Sequence, residues 1–429
     1  MSASETAAAP VSSAQPPHSS AHVAVVVPAL RESGGVATVG RFIHRVLDES
    51  DAYDPAFISV PLSSRDPASL RLLDPETWRR GAVIEEEMWE GYHVQHVGAV
   101  GAELEFQRYR PRRPLTTLLN QFDLIQIVAG TPAWGLLAKN VTRPVALQVA
   151  TRSHVERKSA WAEAGWMRQL WGRLMGRITR RLENRAFQHV DAVFVENAWM
   201  LDYVTDHCPE SQVHFSPPGV DVERFQPGAS ERSSCNLENV PDDYLLSVGR
   251  FSDPRKNASL LLEGYGRLVA RRRTDGQDTP PLILAGRTSP PDSASARLSA
   301  YDATEKVRYL GEVDADTLRD LYRHARAFVL SSDEEGLGLV LLEAMASGIP
   351  VISTNCGGPS TLIESGREGF LTPVGDTDAL VDAINRVIEE PSLASTMGEA
   401  GRERAVNHFS ISAAGERFLS VYDALRSAG

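Results

Sequence analysis

Glu335 and Glu343 have residue types and surroundings that could bind the hydroxyl groups of a ribose or a hexose. Carboxylates are good acceptors for such paired hydroxyls. Glu335 precedes a predicted helix, whereas Glu343 lies inside that helix within the apolar stretch 339–345. A carboxylate in an apolar stretch is costly to bury without a partner, which favours a binding role for Glu343. The alternative is that Glu335 caps the helix and Glu343 is a solvated charge.

Glycines near these glutamates would bring the backbone close to a ligand. Gly336 and Gly338 follow a predicted buried strand, and we expect the helix to begin near Gly338. Free backbone amides at a helix start can bind a phosphate or a sugar hydroxyl. Gly34 and Gly35 follow the first predicted strand in the same way. A Gly–Gly pair alone is typical of many turns, so its place after the first strand carries this prediction.

The elements that must position these residues are short strands that alternate with helices over almost the whole chain. This alternation is typical of βαβ units and parallel sheets. It predicts an α/β fold with two Rossmann-like, doubly wound domains. Ligands of such sheets bind at the carboxyl ends of the strands, which predicts a site in the cleft between the domains. The predicted strands are 23–28, 56–60, 92–97, 124–128, 145–149 and 192–195, and then 244–248, 282–285, 307–310, 327–330 and 350–353.

A change in composition sets the predicted domain boundaries. The first residues are rich in Ala, Ser and Pro, which is typical of a disordered tail. A polar segment with several prolines separates the two series of strands and is the predicted linker. The predicted segments are a tail at 1–21, a first domain at 22–221, a linker at 222–243, a second domain at 244–408 and a helix at 409–429.

Charge and cysteine content exclude several classes of protein. The net charge of −12 argues against a general nucleic-acid surface, which needs a basic footprint. The three cysteines lack metal-ligand spacing, so we expect no zinc site, no disulfide framework and a cytoplasmic location. No apolar run approaches the length of a membrane span. Neither a P-loop nor a Ser–His–Asp arrangement is visible.

The segment 331–350 resembles the donor-binding signature of the retaining glycosyltransferases of family four, the glycosyl transferases group 1. That signature has two glutamates separated by seven residues, with a Gly–apolar–Gly step after the first, as in residues 335–343. Residues 215–227 resemble the family's crossover into its second domain, and 247–257 resemble its diphosphate-binding loop. The resemblance, clear over 215–371, implies the GT-B fold, in which two Rossmann-like domains face each other across a cleft. We expect the C-terminal helix to return to the first domain.

The resemblance also implies a role for each matched residue. Arg250 and Lys256 would contact the donor diphosphate, where their charges stabilise the leaving group without a metal. Without the resemblance, their spacing is equally consistent with ordinary solvated residues of a loop. Glu343 would accept hydrogen bonds from the donor ribose, and Glu335 would hold the donor sugar. The backbone that assists would be that of Gly336, Leu337, Gly338 and Leu339, with Gly34 and Gly35 near the donor phosphates from the first domain.

One departure from the family pattern concerns the first domain. The family commonly has a histidine after a strand in the second half of this domain, and that histidine contacts the donor sugar. Here the corresponding region is 148–154, where counting from the strand end favours Arg152 over His154. Both residues are therefore candidates for this catalytic position, and the sugar specificity is not predicted.

The segment 152–187 is rich in Arg and Lys and carries an apolar stripe at helical spacing. We favour a helix whose stripe faces the core and whose basic side is solvated. The alternative is a peripheral contact with the cytoplasmic face of a membrane, where a lipid-linked acceptor would be found. The stripe consists of Met167, Leu170, Trp171, Leu174, Met175, Ile178 and Leu182.

The function that the resemblance implies is a retaining transfer of a hexosyl unit from a nucleotide diphosphate sugar to a hydroxyl acceptor. The acceptor would be a glycan, a lipid-linked molecule or a small molecule in cell-envelope polysaccharide or glycoconjugate synthesis. No cofactor or metal is expected besides the donor substrate. The alternatives are a sugar-nucleotide epimerase or phosphorylase of the same fold, and a non-catalytic sugar-nucleotide-binding protein. The donor base, the acceptor and the oligomeric state are not predicted.

Overall fold

The structure is a computed structural model that describes residues 20–31, 34–156, 166–228 and 240–428. Most of the predicted tail therefore lies outside the described residues, as do the linker residues between 229 and 239. The first strand begins at Ala21, one residue inside the segment predicted as tail.

The first half of the chain forms one sheet of eight strands. The strands are β1 (Ala21–Pro28), β2 (Tyr53–Val60), β3 (Ile84–Trp89), β4 (Tyr92–Val97), β5 (Leu124–Val128), β6 (Val145–Val149), β7 (Ala192–Val195) and β8 (Val213–Phe215). Their order is β3-β4-β2-β1-β5-β6-β7-β8, and only the β3–β4 pair is antiparallel. The central strands are nearly continuous apolar runs, interrupted by Gln126 in β5 and Gln148 in β6, because helices cover both faces of a parallel sheet.

The second half forms a separate sheet of six parallel strands. The strands are β9 (Leu245–Arg250), β10 (Leu282–Thr288), β11 (Val307–Gly311), β12 (Ala327–Leu330), β13 (Val351–Thr354) and β14 (Gly369–Thr372). Their order is β11-β10-β9-β12-β13-β14. In each sheet the strand order reverses beside the first strand, so β1 lies between β2 and β5, and β9 between β10 and β12.

Helices connect these strands. Those of the first half are α1 (Gly35–Asp48), α2 (Glu76–Arg80), α3 (Glu105–Arg108), α4 (Arg113–Leu119), α5 (Ser153–Glu156), α6 (Trp166–Ala186) and α7 (Ala198–Thr205). Those of the second half are α8 (Ala258–Thr274), α9 (Asp292–Ser299), α10 (Ala315–His324), α11 (Leu339–Ala346), α12 (Pro359–Leu362), α13 (Thr377–Glu389), α14 (Pro391–Phe409) and α15 (Ile411–Ala428). The predicted architecture of two doubly wound domains is confirmed.

The C-terminal helix α15 packs on the first domain, as expected. The Phe418 ring lies 5.5 Å from that of Phe42 and 4.5 Å from that of Phe194. The Tyr422 hydroxyl donates to Oε1 of the buried Gln126 at 2.7 Å. These contacts make the last helix part of the first domain's core, so the chain crosses between the domains twice.

Between residues 170 and 174 the apolar stripe of α6 does not face the core, which corrects the interpretation favoured above. The Met167 side chain of the same stripe lies outside the described residues. Leu170, Trp171 and Leu174 are 62%, 58% and 49% exposed. Small and polar residues take the inward side instead, and Thr179 and Glu183 there are buried. Periodicity marked the apolar face correctly but could not tell which face of the helix would pack against the rest of the domain, here chiefly the 3-10 segment Pro132–Ala138. Within the described ranges, no helix is long and apolar enough to cross a membrane.

Candidate active site

A cleft of about 450 Å³ lies between the two domains, at the carboxyl ends of the strands where both strand orders reverse. This is the place where doubly wound sheets bind ligands. Its first-domain lining follows β1, β5, β6 and β7, and its second-domain lining follows β9, β10 and β12. The predicted residues in the lining are Gly34, Gly35, Arg250, Lys256, Glu335, Gly336, Leu337, Gly338, Leu339 and Glu343.

Lys256 and Glu335 form an ion pair on the second-domain side of the cleft. Lys256 ends a short 3-10 turn after β9, and Glu335 lies in the loop after β12. The Lys256 Nζ donates to Glu335 Oε1 at 2.5 Å, and the Ser332 hydroxyl donates to the same oxygen at 2.6 Å. Both side chains are largely buried. An ammonium and a carboxylate are thus held at one point of the cleft wall.

Backbone and side-chain bonds fasten the two loops that carry this pair. The Ser331 hydroxyl donates to the Lys256 carbonyl at 3.0 Å, and the Asp333 amide donates to the Arg255 carbonyl at 2.7 Å. The Asn257 side-chain amide donates to Asp333 Oδ1 at 2.8 Å. Because the loops brace each other, the ion pair is preorganised rather than formed by two independent surface side chains.

Positive charge in the cleft comes from the second domain. Arg250 ends β9 and is 48% exposed, with its Nη2 3.4 Å from Asp253 Oδ2. Arg255 binds Asp253 more closely, at 2.8 Å. Burial raises the pKa of the Asp253 carboxyl, but hydrogen bonds and charge from Arg255 outweigh that effect and the net pKa is lowered. The basic side chains in the described lining are Arg250, Arg255, Lys256 and Arg287.

Glu343 reaches the cleft from the first turns of α11. Burial of its carboxyl raises the pKa to about 7, although a hydrogen bond from Tyr322 opposes this rise. The Tyr322 hydroxyl donates to Glu343 Oε2 at 2.8 Å. Glu343 therefore has the partner that its apolar surroundings required, and it is not a freely solvated helix charge.

Two helices begin at the cleft. The N-cap of α11 is Gly338, whose φ of 92° favours glycine, so Glu335 does not cap this helix. The N-cap of α1 is Gly34, and a Cβ added to Gly35 would meet no heavy atom within 4 Å. The amides at both helix starts can donate hydrogen bonds to an anion or a hydroxyl.

The two domains are in direct contact beside the loop 331–338, which connects β12 to α11 and is called the Glu335 loop below. The Asn197 side-chain amide donates to the carbonyls of Ala150, at 2.8 Å, and Gly336, at 2.6 Å. The Thr151 hydroxyl donates to Glu334 Oε1 at 2.7 Å. A Cβ on Gly336 would lie only 2.8 Å from the Cβ of Ala150. The Glu335 loop is therefore docked against the ends of β6 and β7.

Neither Arg152 nor His154 belongs to the cleft lining that the structure describes. The Arg152 guanidinium lies 3.8 Å from the centre of the Tyr203 ring, and its Nε lies 3.9 Å from Glu183 Oε2. Burial, followed by the charges of Arg152 and Arg180, lowers the pKa of His154. Thr151, one residue earlier, reaches the cleft instead. The catalytic roles of Arg152 and His154 stay predictions.

Sequence reasoning missed Glu196, which lines the cleft directly after β7 and is 5% exposed. Burial raises its pKa to about 7, and a hydrogen bond from Gln148 opposes the rise. Its position after a predicted strand was the available signal, because the predicted strand ended at Val195. Thr151 and Asn197 follow the ends of β6 and β7 in the same way.

The structure also contains a Ser–His–Asp group that the sequence did not make visible. The His96 ring nitrogens lie 3.0 Å from Ser59 Oγ and 2.8 Å from Asp66 Oδ1. Ser59 is only 2% exposed and lies outside the cleft lining, so a substrate cannot reach its hydroxyl. This group is a buried polar network that connects β2, β4 and the loop that follows β2. Among the described residues no cluster of His, Cys, Asp and Glu could hold a metal ion.

Comparisons with known proteins agree with this architecture. A model of the glycosyl transferases group 1 family matches residues 231–404. D-inositol 3-phosphate glycosyltransferase 2 of Catenulispora acidiphila is 31% identical over 48% of this chain and 49% of its own length. The GDP-mannose-dependent alpha-(1-6)-phosphatidylinositol monomannoside mannosyltransferase of Mycobacterium tuberculosis is 29% identical over 60% of this chain and 66% of its own length. The match thus spans about half to two thirds of these curated relatives.

Among solved structures, HepE from Anabaena in complex with UDP and glucose is similar over 94% of this chain and 100% of its own, with a TM-score of 0.68 and 15% identity. At this identity the likeness concerns the fold alone. The two facing domains and the cleft between them define a protein of the GT-B fold. The family model places residues 231–404 of this chain in the glycosyl transferases group 1 family.

Proposed function

We propose that the protein transfers a hexosyl unit from a nucleotide diphosphate sugar to a hydroxyl acceptor with retention of configuration. The observation that carries this proposal is the braced Lys256–Glu335 pair in a cleft that also holds Arg250 and the enclosed carboxyl of Glu343. The donor class is supported by the relative named for GDP-mannose and by the fold neighbour that binds UDP. Synthesis of a cell-envelope polysaccharide or glycoconjugate is the proposed cellular context.

In this proposal each group meets a different part of the donor. Arg250 and Lys256 hold the diphosphate, and Glu343 accepts hydrogen bonds from the ribose hydroxyls. Glu335 holds the transferred sugar, assisted by the amides at the start of α11. The backbone at Gly34 and Gly35 approaches the phosphates from the other domain. No metal is required, because the guanidinium and the ammonium already meet the charge of the leaving group.

The transfer step needs no protein nucleophile. The bond between the anomeric carbon and the diphosphate oxygen breaks, and the acceptor oxygen forms the new bond on the same face of the sugar. The acceptor proton passes to the departing phosphate. The protein contributes by holding donor and acceptor together and by stabilising the developing diphosphate charge. Closure of the two domains, which already approach each other at Ala150 and Gly336, would exclude water from this step.

The proposal is tested with the purified protein and a panel of UDP-, GDP- and ADP-sugars. We expect release of the nucleotide diphosphate from one donor, and faster release when a membrane extract supplies acceptors. The measurement is coupled detection of UDP, GDP or ADP, followed by analysis of the anomeric configuration of the product. No release and no binding of any donor contradicts an enzymatic function.

Other outcomes of the same experiment identify the alternatives. A change of the donor into its epimer without acceptor indicates an epimerase. Dependence of the reaction on inorganic phosphate indicates a phosphorylase. Binding of a nucleotide sugar without any turnover indicates a non-catalytic binding protein.

We further propose that α6 brings the protein to a membrane surface, where a lipid-linked acceptor would lie. The exposed Leu170, Trp171 and Leu174 share one face of the helix, and the exposed Arg173 and Arg177 stand beside that face. An apolar face flanked by arginines is the pattern of helices that lie in the interface of an anionic membrane. This placement on the cytoplasmic face is the proposed localisation.

We expect Trp171→Ala to weaken membrane binding by about tenfold, because one large aromatic side chain no longer enters the interface. The measurement is co-sedimentation with vesicles of phosphatidylcholine and phosphatidylglycerol. Trp78→Ala is the matched control, since Trp78 is equally exposed, at 58%, in the same domain. Equal binding of the wild type and the Trp171 variant, or an equal loss in the Trp78 variant, contradicts the role of α6.

A further inference from the structure

Glu196 is the only ionisable side chain that the first domain contributes to the cleft lining, as far as the structure describes it. It is 5% exposed, and Gln148 Nε2 donates to its Oε1 at 2.9 Å. Its other oxygen, Oε2, receives no hydrogen bond from the described residues. Gln148 is completely buried, and its own side-chain oxygen has no hydrogen-bond partner in the described part of the chain. A carboxyl group nine-tenths buried with a vacant acceptor oxygen at a cleft wall is a site for a hydrogen-bond donor.

The chemistry of the first-domain side of the cleft limits which group of a ligand can donate this hydrogen bond. A phosphate group is disfavoured beside a carboxylate, and the described first-domain lining contains no basic side chain to compensate. An ammonium or guanidinium ligand is not part of the proposed reaction. A neutral hydroxyl group satisfies Oε2 without adding charge, and carbohydrates present several such groups.

The position of Glu196 indicates which part of the nucleotide diphosphate sugar lies near it. The next residue, Asn197, fixes the Gly336 carbonyl, and Gln148 lies two residues before Ala150, which packs on Gly336. Glu196 therefore faces the cleft where the Glu335 loop meets the first domain. The diphosphate and ribose groups of the donor substrate are assigned to side chains of the second domain. The part of the donor substrate that lies where the Glu335 loop meets the first domain is therefore its sugar.

We infer that Glu196 is a sugar-binding residue that accepts a hydrogen bond from a hydroxyl group of the transferred hexose. It would form the first-domain half of a sugar site whose other half is Glu335. This inference rests on the proposed function, because it takes a nucleotide sugar as the ligand. Because it binds the transferred sugar in this assignment, Glu196 helps to set which hexose is accepted.

The test compares two affinities in one titration series. The probes are the nucleotide diphosphate alone, UDP or GDP, and the corresponding sugar nucleotide from which the wild type releases it. We expect Glu196→Ala to weaken binding of the sugar nucleotide by about tenfold, the loss of one charge-assisted hydrogen bond, and to leave binding of the nucleotide diphosphate within about twofold. Glu196→Gln should show a smaller but equally selective loss.

Thermal unfolding of each variant separates a binding effect from a folding effect. Asp66→Asn is the matched control, because Asp66 is also a buried carboxylate of the first domain but lies outside the cleft lining; it should leave the ratio of the two affinities unchanged. Equal losses of affinity for both probes, or no loss for either, overturn the assignment. If the wild type binds neither probe, the proposed function itself fails, which is a separate result.

Discussion

Replacing Lys256 with Met is expected to lower kcat by about a hundredfold. The Nζ of Lys256 is held 2.5 Å from Glu335 by loops that brace each other, so its charge is in place before the donor arrives. A preorganised cation stabilises charge that develops on a leaving diphosphate more than it stabilises the bound donor, and removing one such group costs about a hundredfold or more. Steady-state kinetics with the donor identified by the panel measure this effect.

The same loss is expected for Glu335→Ala, since this residue holds the sugar whose bond to the diphosphate breaks. Lys306→Met is the matched control for Lys256, because Lys306 is also paired with a carboxylate, Asp278, but lies outside the cleft lining. Its turnover should match that of the wild type. Near-normal turnover in both the Lys256 and the Glu335 variants refutes the assigned roles.

The strands of the two sheets could be predicted because continuous apolar runs mark strands buried on both faces. The missed strands lack this mark. The edge strand β3 contains Glu85, Glu86 and Glu87, β8 has only three residues, and the edge strand β14 has only two apolar residues, at positions 370 and 371. Boundaries were less accurate where a strand continues into the cleft, as β9 does through Gly249 and Arg250.

The second-domain side of the site could be predicted because its residues are close together in sequence and resemble a family signature. Their partners could not be predicted in this way. Tyr322, which donates a hydrogen bond to Glu343, lies in a different helix, and Lys256 is separated from its partner Glu335 by 79 positions in the sequence. The first-domain side was weakly predicted, because single residues at strand ends form it. Counting from the end of β6 pointed to Arg152, yet the chain turns there and the guanidinium packs on Tyr203.

Gly336→Ala is expected to lower kcat/KM by about a hundredfold, although it adds one methyl group. The new Cβ would lie 2.8 Å from the Cβ of Ala150, and the three nearest heavy atoms all belong to Ala150. Gly336 does not have a positive φ, so alanine fits its backbone and the cost arises only at the contact between domains. Separating the domains there displaces the Glu335 loop from the first-domain wall, and a misplacement of about 1 Å costs about a hundredfold.

Because the obstacle is a single methyl group, a second substitution should remove it. Ala150→Gly in the Gly336→Ala background is expected to restore most of the lost kcat/KM, measured relative to the Ala150→Gly single variant. A double-mutant cycle of this kind isolates the contact, provided that binding of the nucleotide diphosphate alone stays within about twofold in all four proteins. Failure of the rescue would mean that Gly336 acts through the ligand rather than through the other domain. A successful rescue would show that the close approach of the two domains at Gly336 and Ala150 is required for full activity, because the two substitutions meet only at that contact.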